Sequence, residues 1–147
     1  MMVEQVAPQP SFEAALQAAD RAIAGTVTSL RATTQGTLVT LDANRTLKGA
    51  EESSLTLRQG SGVQPGHDWK EMVVVDAPGD PLLLPGTHGM LLIEDEPGGV
   101  PYVQPLSGTY YLDTRGVRAL PLNPFGETVN GLSEADLVSR ALSVAGN

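Results

Sequence analysis

The two histidines are the side chains in this sequence best suited to general-base or metal chemistry. His67 and His88 lie 21 residues apart and on different predicted elements. A zinc site normally takes three or four ligands and often includes a short-spaced pair of histidines. Asp68 directly follows His67, but adjacent residues rarely point at the same ion. We therefore predict no metal site and no cofactor.

A serine nucleophile is the second candidate, at Gly60-Ser61-Gly62. A nucleophile elbow needs G-x-S-x-G at a turn from a strand into a helix, with a histidine in reach. The spacing here differs and no helix is predicted to follow, so this motif does not indicate a serine hydrolase. The glycine-rich patterns that hold phosphate groups in nucleotide-binding folds are also missing from the sequence.

Two acidic runs, Glu51-Glu52 and Glu94-Asp95-Glu96, are the remaining candidates for chemistry. The carboxylic acids of glycosidases are separated in sequence and recessed, so that desolvation raises the pKa of one of them. Acidic runs beside Pro-Gly at strand ends are normally solvated, and this spacing does not fit a calcium-binding EF-hand loop. We predict no catalytic residues and expect the protein not to be an enzyme.

Trp69 is the only tryptophan, and it ends a glycine- and proline-rich segment that begins at Gly60. A tryptophan in a loop either anchors a partner or covers the end of a core. We predict a partner contact at His67, Asp68 and Trp69, with the Pro97–Val100 turn in the same surface. Replacing Trp69 by Ala is then expected to weaken binding and to leave the melting temperature almost unchanged.

Composition limits the classes of partner. The chain of 147 residues has 17 acidic residues against nine Lys and Arg, and its net charge is -8. Nucleic-acid binders need a cationic groove, usually with aromatic platforms, but aromatic content here is 4%. No apolar run is long enough to span a membrane, and the chain has no cysteine. The expected partner is an unidentified protein or small-molecule ligand, and the oligomeric state is not predicted.

The elements that must position these residues are short strands. The 16 glycines and 11 prolines indicate many turns between short apolar runs, which is typical of an all-β sandwich or barrel. A shift of the apolar phase predicts a bulge near Ser29, and Arg45 is expected to hold its charged head in water. Strands are predicted around Ile23–Leu30, Val39–Leu47 in one phase, Leu55–Leu57, Met72–Val75, Met90–Ile93, Tyr102–Gln104, and in a hairpin from Tyr110 to Ala119. The unbroken apolar run Met90–Ile93 predicts a strand that is covered on both faces or one that crosses between core regions. The prolines on either side of Tyr102–Gln104 predict an edge position for that strand.

Two helices are predicted to flank the strands. Ser11 caps a short N-terminal helix, and Ser133 caps a C-terminal helix at about residues 133–145. Residues 1–10 are expected to be a flexible lead-in, and residues 11–147 a single domain. The buried stripe of the second helix is predicted to contain Leu137, Val138, Ala141 and Leu142.

Several motifs stand in the order found in a group of bacterial exported proteins of unassigned function. They are Ala19-Asp20 with Gly25 and Val27, Leu47-Lys48-Gly49, Pro81 to Ile93, and Gly108 to Val117. The chain resembles that group over about residues 11–120, and it is more distantly similar to netrin-type modules and tissue inhibitors of metalloproteinases. Those inhibitors chelate the protease zinc through an N-terminal cysteine, which this chain lacks.

The resemblance implies an OB-like barrel and an extracytoplasmic location, periplasmic or secreted, but it transfers no functional residue. The printed N-terminus has neither a basic nor an apolar signal region, so no signal peptide is expected in the given chain. Together with the strand pattern, the resemblance predicts an all-β fold, an OB-like Greek-key β-barrel with a short N-terminal helix and a C-terminal helix.

The predicted function is a non-enzymatic binding or interaction module of the cell envelope or exterior. One alternative is a small hydrolase or metal-dependent enzyme, which a deep pocket joining His67 or His88 to two acids would support. Another is a structural accessory domain of a larger assembly, which an exposed apolar edge strand near Tyr102 would favour.

Overall fold

The computed structural model describes residues 11–33, 36–51, 53–59, 62–65, 72–75, 83–96, 99–104, 107–120, 123 and 125–145. The predicted lead-in, residues 1–10, lies outside them. The described part contains two α-helices, nine strands and a short 3-10 turn. They are α1 (Phe12–Ala18), β1 (Arg21–Thr33), β2 (Gly36–Lys48), β3 (Ser54–Gln59), β4 (Gly62–Pro65), β5 (Met72–Val75), β6 (His88–Glu94), β7 (Tyr102–Val103), β8 (Thr109–Asp113), β9 (Gly116–Ala119), the turn Gly126–Thr128 and α2 (Glu134–Ala145).

Five strands close a barrel in the order β1-β2-β3-β7-β6-β1. The long strand β1 pairs with β2 on one side and with β6 on the other. A parallel bridge between Arg58 of β3 and Tyr102 of β7 completes the ring. β8 and β9 extend the sheet from β6, while β4 and β5 form a separate two-stranded ladder. The predicted all-β barrel with a short N-terminal helix and a C-terminal helix is therefore confirmed.

Two apolar cores lie on opposite sides of β6. Leu91 and Ile93 belong to the core inside the barrel, and Met90 and Leu92 belong to the core between the sheet and the helices. This strand is covered on both faces, which is one of the two alternatives that its unbroken apolar run predicts. The barrel interior is filled by Ile23, Val27, Val39, Leu41, Leu55, Leu57, Leu83, Leu91, Ile93 and Val103.

Three β-bulges bend the long β1–β2 hairpin. The pairing register skips Thr28 in β1, next to the predicted position at Ser29, and skips Asn44 and Leu47 in β2. Each extra residue increases the local twist and reverses the faces of the residues that follow. The two bulges in β2 were not predicted from the sequence.

The two bulges in β2 explain why the prediction that Val39–Leu47 keep one phase is wrong. Val39 and Leu41 face the barrel interior, but Leu47 packs in the core under the helices. Gly25 of β1 lies against this distorted stretch, and a Cβ atom there would come within 2.2 Å of the Asp42 carbonyl oxygen. Only glycine permits this close approach of the two backbones.

Both helices begin where the sequence predicts. The Ser11 hydroxyl accepts a hydrogen bond from the Ala14 N–H at 3.1 Å, and the Ser133 hydroxyl accepts one from the Asp136 N–H at 3.1 Å. In α2, Leu137 is fully buried, but the side chain of Leu142 is 38% exposed. The predicted stripe is wrong at Leu142, because a cleft separates this last turn of the stripe from β2.

Two further predictions differ from the structure. Gly62–Pro65, assigned to a loop from its glycine and proline content, forms β4 because β5 supplies its pairing partner. Tyr102 lies in β7, which sits between β3 and β6 inside the barrel wall rather than at an edge. Within the described part of the chain, neither helix is long and apolar enough to cross a membrane.

Candidate functional site

The predicted contact residues His67, Asp68 and Trp69 lie outside the residues that the structure describes. Of the Pro97–Val100 turn, residues 99 and 100 are described, and Val100 is 37% exposed. The contact surface predicted at these two segments therefore stays a prediction.

His88 is held at both ring nitrogens at the start of β6. Its Nε2 is hydrogen-bonded to Oε1 of Glu134 at 2.5 Å, and its Nδ1 is hydrogen-bonded to the hydroxyl of Thr26 at 3.2 Å. The Thr26 hydroxyl also lies 3.5 Å from Oδ1 of Asn44. These contacts join β1, β2, β6 and the first turn of α2 through one imidazole ring.

A hydroxyl, an imidazole and a carboxylate in series can activate a nucleophile in acyl transfer. Thr26, however, lies mid-strand, paired with Asp42 on one side and with His88 on the other. Its backbone belongs to the sheet ladders, which do not supply the free N–H groups of an oxyanion hole. Among the described residues, no group of three metal-ligating side chains comes together. The series therefore chiefly orients His88 and ties α2 to the barrel.

A cleft begins at His88 and runs along the outside of the barrel between β2 and α2. The part beside His88 has a volume of about 310 Å³, and the part beside the β2–β3 turn has a volume of about 680 Å³. Both parts are open to solvent, so they form a surface cleft and not an enclosed cavity. The two parts share three lining residues, Asn44, Arg45 and Leu142, and we call them together the outer cleft.

Arg45 is the cation of the outer cleft. The bulge at Asn44 sets its position, and its side chain is exposed, as predicted from the sequence. Within the described residues, its guanidinium has no hydrogen bond, ion pair or ring contact. Four other arginines do have such contacts: Arg21 with Asp95, Arg58 with Glu96, Arg118 with Tyr111 and Arg140 with Glu13.

Leu142 supplies the apolar wall of the outer cleft. It is one of three large apolar side chains that are exposed in the described part of the chain, and Val138, one turn earlier, is buried beside it. On the other side, Glu51 and Ser53 of the β2–β3 turn line the larger part. The cleft thus combines one cation, one apolar wall and several hydrogen-bonding groups.

A second convergence of polar residues lies at the C-terminal end of α1. The Lys48 ammonium donates to the carbonyl oxygens of Leu16 at 3.0 Å, Gln17 at 2.9 Å and Ala19 at 2.6 Å. A helix leaves its last carbonyl groups without partners, and a cation there also complements the helix dipole. Lys48 therefore caps α1 from a strand that lies far away in sequence.

Glu94 lies beside this cap and is partly buried. It accepts a hydrogen bond from Nε2 of Gln104 at 3.1 Å. Burial raises the pKa of Glu94 above its ordinary value of 4.5, and the neighbouring Asp20 carboxyl raises it further. Asp20 in turn accepts a hydrogen bond from the Asp95 N–H at 2.7 Å. We call Asp20, Lys48, Glu94 and Gln104 the α1-end cluster.

The acidic run Glu94-Asp95-Glu96 is only partly the solvated surface that the sequence predicts. Asp95 and Glu96 are exposed and form ion pairs with Arg21 at 3.2 Å and Arg58 at 2.7 Å. Glu94 departs from the prediction because it points back toward α1. Sequence reasoning missed this cluster, since its members meet only after the barrel closes.

A third cleft, of about 640 Å³, lies at the outer end of β9 and is lined by Tyr111, Arg118 and Glu127. Here the cation is engaged, because the Arg118 guanidinium lies 5.4 Å from the centre of the Tyr111 ring. The edge of β9 is also closed: the Val117 N–H donates to the carbonyl of Leu132 at 2.7 Å. This cleft therefore offers a ligand fewer free groups than the outer cleft does.

Comparison of the chain with protein-family models, curated proteins and solved structures gave no match. In the structure, residues of the motifs quoted in the sequence analysis have structural roles. Asp20 and Lys48 fasten the end of α1, and Gly25 permits the close approach of β1 and β2. In this chain, these motif residues serve the fold.

Proposed function

We propose that the protein is a non-enzymatic binding module that holds a protein or small-molecule ligand in the outer cleft. The observation that supports this proposal most strongly is the exposed guanidinium of Arg45, which has no partner among the described residues and lies in the same cleft as the exposed side chain of Leu142. A charged group gives a ligand its orientation, while an apolar wall adds area that is removed from water.

Apolar side chains fill the barrel interior, which favours a ligand site on the surface rather than inside the barrel. Ten buried apolar residues occupy the interior. One of them, Leu83, is also held by its backbone N–H, which donates to the side-chain oxygen of the buried Gln59 at 2.9 Å. A ligand inside the barrel would have to displace this core, at a cost of several kcal/mol. Binding on the outside requires no such change.

The proposal includes a location and a second contact region. An extracytoplasmic location, at the cell envelope or outside the cell, is proposed from the resemblance to exported proteins alone. His67, Asp68 and Trp69 remain proposed contact residues on the strength of the sequence. No cofactor is required for binding of this kind.

A small hydrolase is the second candidate, and the Thr26–His88–Glu134 series favours it. In that function, His88 would take the proton of a nucleophile and Glu134 would hold the ring in place. The test is hydrolysis of a panel of activated esters by the wild type and by His88→Ala. Turnover that disappears in His88→Ala would replace the binding-module proposal with this one.

Capture from native extract tests the binding module. The immobilised wild type, Arg45→Ala and Arg115→Ala are compared, with circular dichroism showing that all three fold. Arg115 is an exposed arginine in the turn between β8 and β9 that does not line the outer cleft, and it is the matched control. We expect a species that is retained by the wild type and Arg115→Ala and is depleted on Arg45→Ala. Equal retention by all three would contradict a role for the outer cleft.

A further inference from the structure

Beside the outer cleft, one edge of β2 has no pairing partner among the strands that the structure describes. β3 pairs with β2 from Thr37 to Asp42, and the Ala43 N–H still donates to the carbonyl of Ser53 at 3.1 Å. Beyond this point the chain turns away through Gly49, whose φ of 90° is left-handed. From Asn44 to Lys48, no described strand pairs with this edge, while the opposite edge pairs with β1.

The outer cleft provides the space that an additional strand needs. Strands in a sheet lie about 4.7–4.9 Å apart, and an added strand satisfies the backbone groups of an exposed edge. The larger part of the cleft, about 680 Å³, is lined by Asn44, Arg45 and Thr46 of this edge on one side and by Leu142 of α2 on the other. The space beside the unpaired edge is therefore bounded by a helix.

The side chains around this space indicate what an added segment would carry. Arg45 has no ionic partner in the described chain, so an acidic side chain opposite it would form a charge-assisted hydrogen bond. Glu51 lines the same part and repels a run of acids, which favours a single acidic residue. Leu142 offers an apolar contact to an aliphatic side chain.

We infer that the unpaired edge of β2 binds an extended segment of a partner protein as an added strand. The segment carries one acidic residue opposite Arg45 and an aliphatic residue against Leu142. This inference rests on the proposed binding function and specifies its ligand. The bulges at Asn44 and Leu47 interrupt the edge, so the added strand is short.

Labelled synthetic peptides test the inference by fluorescence anisotropy. The probes are short segments of alternating valine and threonine with either glutamate or lysine at the centre. We expect the glutamate peptide to bind the wild type about tenfold more tightly than the lysine peptide, the difference typical of one charge-assisted hydrogen bond. Arg45→Glu is expected to reverse the preference, and Arg115→Ala to leave it unchanged.

Backbone methylation separates strand addition from side-chain binding. Peptides are N-methylated on one or the other set of alternate residues, because successive N–H groups of a strand point to opposite sides. Strand addition predicts that one set abolishes binding and the other retains it. Equal binding by both sets would overturn the inference even if the charge preference holds.

The two proposals fail in distinguishable ways. If no peptide binds while capture from extract still depends on Arg45, the β2 edge does not accept an added strand. The strand inference is then wrong, but the binding-module proposal still holds. If no peptide binds and capture is independent of Arg45, both proposals are wrong.

Discussion

Two cations on the same strand, Lys48 and Arg45, have opposite surroundings. The Lys48 ammonium donates to three backbone carbonyls at 3.0 Å or less, whereas Arg45, three positions earlier, has no partner in the described chain. One charge completes a helix, and the other is left facing a cleft. Residue type and strand position therefore do not show which of the two charges stabilises the fold, whereas the partners of each charge do.

The same contrast runs along α2. Leu137 is fully buried against the sheet, whereas Leu142, on the stripe predicted to be buried, is 38% exposed. One face of the helix, with Leu137 and Ala141, therefore contributes to the core, while Leu142 forms a wall of the outer cleft. The predictions below test whether these two pairs of residues have separate roles.

The largest expected effect is at Leu137. Leu137→Ala should lower the free energy of unfolding by about 2–5 kcal/mol, because it removes buried methyl groups and leaves a cavity. Urea unfolding monitored by circular dichroism measures the change. Leu142→Ala is the matched control and should cost less than about 1 kcal/mol. Equal losses in the two variants would mean that Leu142 belongs to the core.

The next effect concerns the two cations. Lys48→Met keeps most of the aliphatic stem but leaves three carbonyls without their charged donor, and it should lower the free energy of unfolding by about 2–3 kcal/mol. Arg45→Met should change it by less than about 0.5 kcal/mol. If Lys48→Met kept its stability while Arg45→Met lost stability, Arg45 and not Lys48 would be the cation that stabilises the fold.

The smallest effect is a pH dependence at Glu94. Because the pKa of Glu94 is raised in the folded protein, its proton stabilises the fold below the ordinary value of 4.5, and this contribution is lost as pH rises through the raised value. Gln resembles the protonated form, so Glu94→Gln should gain stability relative to the wild type as pH increases across this window. Unfolding in urea at several pH values measures the difference. A constant difference would contradict the raised pKa.

Much of the fold could be predicted because its signals are local. Ser11 and Ser133 cap helices through residues three positions away, and the hairpin from Tyr110 to Ala119 surrounds a turn of its own. The break in phase near Ser29 marked a real bulge. Short-range hydrogen bonds and the alternation of apolar residues determine these features, so each can be predicted from one continuous stretch of sequence.

The candidate site could not be predicted because it depends on distant contacts. The bulges at Asn44 and Leu47 leave no mark in a sequence whose apolar phase looks continuous across them. Leu142 has the spacing of a buried residue and is exposed only because β2 lies across a cleft. Lys48 reaches carbonyls about 30 residues earlier in the chain, a contact that exists only once α1 packs on the barrel.

Hydrogen exchange with and without the captured ligand shows whether the ligand is held outside the barrel between β2 and α2. We expect slower exchange of amides in residues 43–53 and 135–145 and unchanged exchange in α1 and β7. Protection confined to β3, β6 and β7 would place the ligand in the barrel, and protection confined to the Gly60–Trp69 segment would assign binding to Trp69 alone. Either result would contradict the outer cleft as the binding site.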